Sequence, residues 1–468
     1  LTSKLDTNTL MEHKRYYGAL IIGLAFANGS FGQAGTLDPD FSADGYTTIN
    51  WSEGDVSGAA SALDANGDIY VAGTLSVPPV GSVPAQRRIA IVRLNADGGL
   101  DPGFSGNGRL LAEFTTSGFS WSFVRAMAIQ ADGKIIVVGE AAVALTGGGQ
   151  STHQFGVARF NSNGTPDTDF SGDGLATVSF IDDAQCRPWD VVVQSDGKIL
   201  VAGWTNTTTD DDSELNFAVL RLNATGSLDN SFSSDGKVQV DFGVYDSYAH
   251  AVEVQSDGKI VLAGTYDYSD GDSKMVVARL NASGTLDNTF SDDGKYQYTS
   301  SSTTIENAWA VAIDADNRVL VAGQWQNSDG SGYIQPTLIR LGTTGALDNG
   351  FSSNGEFHFT GPQGHGAGIR KLDIQCDGKI MATGYSVDTD DDEDMLLARI
   401  TSGGELDDNF SSDGLVTLAF GFGNDIARGV SIRSSDQYIT IAGTAGAEDD
   451  ATDFGVARYR TEAGIVPP

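Results

Sequence analysis

Arg93 precedes Asp101 by eight residues, and the same interval separates Arg159 from Asp167, Arg221 from Asp229, Arg279 from Asp287, Arg340 from Asp348 and Arg399 from Asp407. A guanidinium held against a carboxylate can serve catalysis or can clamp two pieces of backbone together. A catalytic reading would require six or seven identical active sites in one chain. The constant interval therefore predicts a structural ion pair that pins each Asp-bearing connection to the strand carrying its Arg. Other catalytic apparatus is missing from the sequence. There is no Gly-x-Ser-x-Gly elbow and no phosphate-cradling glycine loop at a strand–helix junction. The five histidines, His13, His153, His250, His358 and His365, have no metal-like spacing.

Acidic runs supply a second candidate chemistry. Asp210-Asp211-Asp212, Asp388 to Asp394 and Glu448-Asp449-Asp450 fall in loops, where hard oxygen ligands could hold calcium. Asp210, Asp212, Asp388, Asp390 and Asp392 are the ligands such a site would use. None of the runs matches the spaced Asp loop that ends in Gly and a distal Glu, because Glu393 stands where that loop needs Gly. Solvated negative loops are the simpler expectation.

The elements that position these groups come from a repeat. Leu-Asp-x-x-Phe-Ser-x-x-Gly, or a close variant, recurs with its Phe at 41, 104, 170, 232, 290, 351 and 410, a mean spacing of about 61 residues. That period suits a four-stranded blade with generous loops. Within one unit, Ala251–Gln255 and Lys259–Gly264 flank a Ser256-Asp257-Gly258 turn, the signature of a tight hairpin whose Gly needs positive φ. Asn317 and Gln437 replace that Gly in two copies; Asn tolerates the conformation, whereas Gln437 should force a different turn. A third strand such as Met275–Asn281 follows, then the Leu-Asp phrase, then a fourth strand such as Lys295–Tyr298. The first phrase precedes a lone strand at Tyr46–Trp51, and the last copy ends after a third strand at Phe454–Tyr459. Pairing those two closes a seven-bladed ring, removes both sheet edges and should bring Asp38 to Arg458.

Asp-Gly-Lys-Ile-x-Val-Ala-Gly, Val-Ala-Arg-Leu-Asn and Gly-x-Leu-Asp-x-x-Phe-Ser-x-x-Gly recur in that order over residues 36–460. The combination resembles the delta-60 repeat, a family of bacterial β-propeller domains of unknown function. The resemblance implies an all-β fold and transfers no catalytic residue.

In a propeller, the loops entering the innermost strands share one rim with those leaving the second strands. All six tryptophans are expected there: Trp51, Trp121, Trp189 and Trp309 before inner strands, Trp204 and Trp325 after second strands. Eight residues before each hairpin turn stand Ala59, Arg125, Trp189, His250, Trp309, Arg370 and Gly429. Copies of one unit have no structural need to differ at one equivalent position, so this ring is where specialisation should show. Arg125 and Arg370 would be its only positive groups, suited to a carboxylate or sulfate.

Bulk properties set the context. Net charge is −34, with 62 acidic against 28 basic side chains, which argues against nucleic acid and against anionic lipid. Cys186 and Cys376 are the only cysteines and are expected on opposite faces as free thiols. Basic Met11–Arg15, apolar Tyr16–Ala27 and the small-x-small site Gly32-Gln33-Ala34 have the layout of a secretory signal peptide cleaved after Ala34. Residues 1–34 are thus expected to be upstream residues and leader, with one propeller over 35–468. No other segment reaches transmembrane length. The leading expectation is a monomeric, secreted or surface-displayed module that binds an extracellular glycan, peptide or protein and needs no cofactor. Its rivals are a purely structural module, and a hydrolase or lyase that would need His250 beside a carboxylate.

Overall fold

Short β-branched runs broken by Asp-Gly turns leave the chain little choice but antiparallel hairpins. A computed structural model describes residues 33–461 except 82–83, 116–120, 145–150, 183, 210–213, 269–270, 299–303, 328–331, 422, 434, 436–437 and 448–450. Residues 1–32 of the expected leader, Asp210, Asp212 and Gln437 lie outside the described residues. Those residues form 28 strands and a single 3₁₀ turn at Pro362–Gly364, with no α-helix among them. Among the described residues no helix is long and apolar enough to cross a membrane.

The unit is a four-stranded antiparallel meander. One example runs Cys186–Val193, Ile199–Asn206, Leu215–Leu222 and Lys237–Val240, each strand pairing with the next. The same order repeats along the chain. Two successive meanders merge into one eight-stranded sheet through a single parallel pair, Ser273 with Ile305. The turns behave as their residues require: Gly258 has φ +83°, and Asn317 takes the same left-handed conformation at φ +58°.

Closure follows the expected route. Strand Tyr46–Ile49 pairs antiparallel with Thr452–Tyr459, Tyr46 opposite Ala457 and Ile49 opposite Phe454. The strand Asp55–Leu63 then packs against Ile426–Ile432, so the first meander abuts the last. Ala34, at the expected cleavage point, is buried beside Phe410 and Tyr459, and its carbonyl accepts the Ser411 N–H. The packed structure therefore begins at or before this residue.

Burial occurs between meanders, because each sheet is apolar on both faces. One cluster mixes Leu200, Phe217 and Phe232 with Val252, Leu262 and Val276 of the next unit. Another joins Phe41, Ile49 and Trp51 to Val71, Val92 and Val456 across the closing seam. Each fully buried Phe contributes on the order of 2 kcal/mol by area removed from water.

The eight-residue Arg–Asp pairs all form. Arg159 Nε lies 2.6 Å from Asp167, Arg221 2.7 Å from Asp229, and Arg340 and Arg399 each 2.8 Å from Asp348 and Asp407. Arg93 and Asp101 pair likewise, as do Arg279 and Asp287. The same arginines do more than hold their own unit. Each guanidinium lies over the phrase's Phe ring, as Arg221 does over Phe232 at 4.7 Å. Arg159, Arg221, Arg279 and Arg340 also donate to a carbonyl of the following unit, at Ala224, Ala282, Thr343 and Ser402. The Lys of the Asp-Gly-Lys turn joins the same carboxylate, Lys259 at 3.2 Å from Asp287 and Lys379 at 3.2 Å from Asp407. Of the two thiols, Cys186 is buried and Cys376 exposed, both free.

Candidate functional site

The inner strand of every meander is interrupted by a β-bulge. Register slips at Ala59, Arg125, Trp189, His250, Trp309 and Arg370, each of which lacks a partner opposite it. A bulge re-aims one side chain out of the alternation of the strand. Room for it comes from a glycine on the second strand, which recurs at 73, 139, 203, 264, 323, 384 and 443. A Cβ on Gly264 would overlap the Tyr248 carbonyl oxygen, and the other six meet the same obstacle. A glycine within the second strand, most often after Ala, is thus the sequence mark of the bulge.

The last meander departs from the expectation. Its bulged residue is Arg428, not Gly429. The hairpin there closes from Arg433 N–H to the Tyr438 carbonyl, whereas others close from Gln255 to Lys259. The turn is one residue longer, so counting back eight lands one residue too late. The ring consequently holds three arginines, Arg125, Arg370 and Arg428, rather than two.

These residues converge on one cavity of about 460 Å³, lined also by Ser57, Ser61, Thr74, Ser76, Arg87 and Phe123. Along one side they form a continuous stack. The Arg125 guanidinium lies 4.4 Å from the Trp189 ring. Trp189 lies 4.8 Å from His250, which stacks on Trp309 at 4.2 Å and 21°. Arg370 caps Trp309 at 4.8 Å and lies 5.0 Å from Tyr385. The two indoles also lie 5.9 Å from each other, so Trp189, His250 and Trp309 form a triangle, with both indoles half-buried.

His250 is buried, and its Nδ1 lies 2.8 Å from the Ala308 carbonyl oxygen. A carbonyl only accepts, so Nδ1 carries the proton. Burial pushes its pKa down to about 4, with Arg370 and Arg125 adding to the effect. The hydrogen-bond partner of His250 is thus a backbone carbonyl where a hydrolase or lyase reading needed a carboxylate.

The other tryptophans disperse. Trp204 is buried against Tyr248, with Arg187 over its ring at 5.3 Å. Trp325 is half-buried beside His358 at 6.2 Å. Neither lines the cavity: Trp204 packs on Tyr248 of the next meander and Trp325 on His358 of its own. Trp51 belongs to the core, and Trp121 alone of the six is exposed. The common aromatic rim expected from the sequence does not exist.

Asp388 is occupied by its own turn: Oδ1 accepts the backbone N–H groups of Asp390 and Asp392. Among the described residues no three acidic, His or Cys side chains are grouped to hold a metal.

Several polar groups at the site were invisible in the sequence. Glu140, buried, accepts Arg125 Nε at 3.0 Å and lies 3.5 Å from Arg187. Beneath the ring, Lys371 lies 3.2 Å from Asp190, which also accepts the Val252 N–H. Burial pushes nearby Glu253 up to about 7 and Asp373 up to about 6, against the opposing pull of Lys371. Their one signal is positional: Asp190, Lys371, Glu253 and Asp373 stand one or three residues after a bulge, where other units carry mostly Ala, Gly or Ser.

Repeated four-stranded meanders around a shared mouth define a β-propeller. The chain belongs to the family described as domain of unknown function (DUF5122) beta-propeller, whose model matches residues 65–104, 130–170, 194–232, 255–290 and 375–410. Among solved structures, it is similar to a catalytically inactive virginiamycin B lyase from Staphylococcus aureus, at 11% identity and TM-score 0.45, covering 88% of this chain and 98% of that one. A protein of unknown function from Dyadobacter fermentans gives 10% identity and TM-score 0.45 over 89% and 98%. A polysaccharide lyase, the PL25 ulvan lyase, gives 13% identity and TM-score 0.45 over 89% and 96%. No curated protein sequence matches.

Proposed function

We propose that this protein is a secreted or surface-displayed seven-bladed propeller that binds an extracellular ligand at its central mouth. The observation that carries the reading is the convergence of Ala59, Arg125, Trp189, His250, Trp309, Arg370 and Arg428 on one cavity. The units are otherwise near-copies, down to the Arg–Asp clamp and the bulge glycine, yet the bulged residues are of four types. A purely structural ring would gain nothing from that variety. The cavity volume lies within the range typical of small-ligand sites and suits a sugar unit or a chain terminus rather than a flat protein face. The basic-then-apolar stretch at Met11–Ala27 supports export.

The test is a glycan and peptide array probed with the purified protein and with Ala59→Trp. Ala59 lines the cavity, so an indole there fills the mouth. Wild-type protein should bind a defined set of ligands and the variant should lose them. Binding that survives the plug, or no binding by the wild type, would overturn the reading.

A further inference from the structure

Resting on the binding role proposed for the mouth, we infer that its ligand is an acidic sugar whose carboxylate or sulfate is held by Arg370 and Arg428. These two guanidiniums differ from the clamp arginines and from Arg125; Arg87, at the same cavity, lies over the rings of Trp121 and Phe123. The clamp arginines each have an Asp, and Arg125 has Glu140. Among the described residues, neither Arg370 nor Arg428 forms an ion pair. Arg428 Nη1 donates to the Thr444 hydroxyl at 2.8 Å and the Gly58 carbonyl at 3.2 Å, and Arg370 Nη1 donates to the Gln324 amide oxygen at 3.2 Å. All of these acceptors are neutral. They fix the side chains without neutralising them, and no hydrogen bond engages Nε or Nη2 of Arg428 among the described residues.

Both side chains are half-buried, and a charge drawn partly out of water without a counter-charge is unfavourable. Scarcity of acids cannot be the cause in a chain with 62 of them. Burial is the largest influence on Arg428, drawing its pKa down to about 10, and repulsion from Arg370 adds to it. Glu393 acts on both arginines only from beyond ion-pair distance. Two guanidiniums that repel each other across one cavity form a site for an oxyanion, which supplies the missing charge and accepts the free N–H groups.

The rest of the lining selects the kind of molecule that carries the anion. Ser61, Thr74 and Ser76 line the cavity with hydroxyl groups. Arg125, His250 and Arg370 pack on the two indoles, and Phe123, Val124 and Met127 line the cavity as well, so hydroxyl and guanidinium groups stand beside apolar surface. A polyhydroxylated ring with one anionic substituent matches both features.

Calorimetry at low ionic strength tests this with galacturonate, its uncharged methyl ester, a sulfated galactose and a short acidic peptide. Galacturonate or the sulfated sugar should bind at least ten-fold more tightly than the ester, and comparison of the two acids identifies the anion. Arg428→Met and Arg370→Met should each weaken binding ten- to a hundred-fold. Arg428→Met should not lower the melting temperature, since it removes an uncompensated charge; lost binding together with marked destabilisation would mean a structural role and overturn the assignment. An ester that binds as well as the acid defeats the anion inference and leaves binding at the mouth intact. A peptide that outcompetes both sugars defeats the sugar class. Tight binding that survives Ala59→Trp removes the mouth itself from consideration.

Discussion

Asp38 and Arg458 lie 420 residues apart and form a 2.6 Å ion pair, with the Asp38 carboxylate wholly buried. It is the same bond that the other units make over eight residues, here made across the closing seam. Arg460 adds a second contact at 2.9 Å. Burial alone would raise the carboxyl, but Arg458 and Arg460 outweigh it and hold its pKa below the usual value.

Asp38→Asn should therefore unlatch the ring. It leaves a buried guanidinium unpaired, at a cost of about 3–5 kcal/mol. Thermal unfolding should show a clear loss of stability, and hydrogen exchange should rise first in Tyr46–Ile49 and Thr452–Tyr459. Equal exchange throughout the chain would mean that the seam has no special standing.

Gly264→Ala tests the link between the bulge glycine and the mouth. The added methyl collides with the Tyr248 carbonyl, so the inner strand must shift and His250 must leave its contacts with the two indoles. The expected cost is about 1–3 kcal/mol for overpacking. Tryptophan fluorescence should change as Trp189 and Trp309 lose their neighbour. A variant with native fluorescence and stability would show that the bulge does not depend on the glycine.

Trp309→Ala should destabilise the protein as well as disturb the mouth. Its ring covers both His250 and Arg370, and such truncations cost about 3 kcal/mol or more when the site is well packed. Calorimetric unfolding gives the answer; an unchanged melting temperature would mean that the indole serves the ligand alone.

The pH dependence of stability carries a signature of Glu253. Its folded pKa, raised to about 7 by burial, exceeds the unfolded value, so the folded state holds the proton more tightly. The stability it contributes is full below about pH 4.5 and is lost as pH rises toward 7, on the order of 3 kcal/mol at most. Glu253→Gln should match the wild type at pH 4 and exceed it at pH 8 in denaturant titrations. Parallel curves at both pH values would refute the assignment.

The parts of the fold readable from sequence were those fixed by local spacing. The Arg–Asp interval survives because strand, connection and carboxylate belong to one short stretch, and closure was legible because an orphan fourth strand needs a third. The mouth was only partly legible. Counting from the hairpin found six of seven inward residues and missed Arg428, because that turn is one residue longer. Trp204 and Trp325 sit at the rim in sequence order, yet they pack on Tyr248 and His358 away from the cavity, and sequence order alone does not encode which neighbour a side chain meets. Glu140 and Lys371 were missed because their partners come from other strands or other units.

The pairing of Tyr46–Ile49 with Thr452–Tyr459 also imposes an order on biosynthesis. At about 5–20 residues per second, the ribosome delivers the second strand roughly 20–80 s after the first. Throughout that interval the early strand is an open edge with no native neighbour, and the nearest match for it is the third strand of another unit or another chain. Folding fidelity thus rests on keeping one short strand idle until the last meander arrives, and exchange of that strand between two molecules is the characteristic error of this architecture.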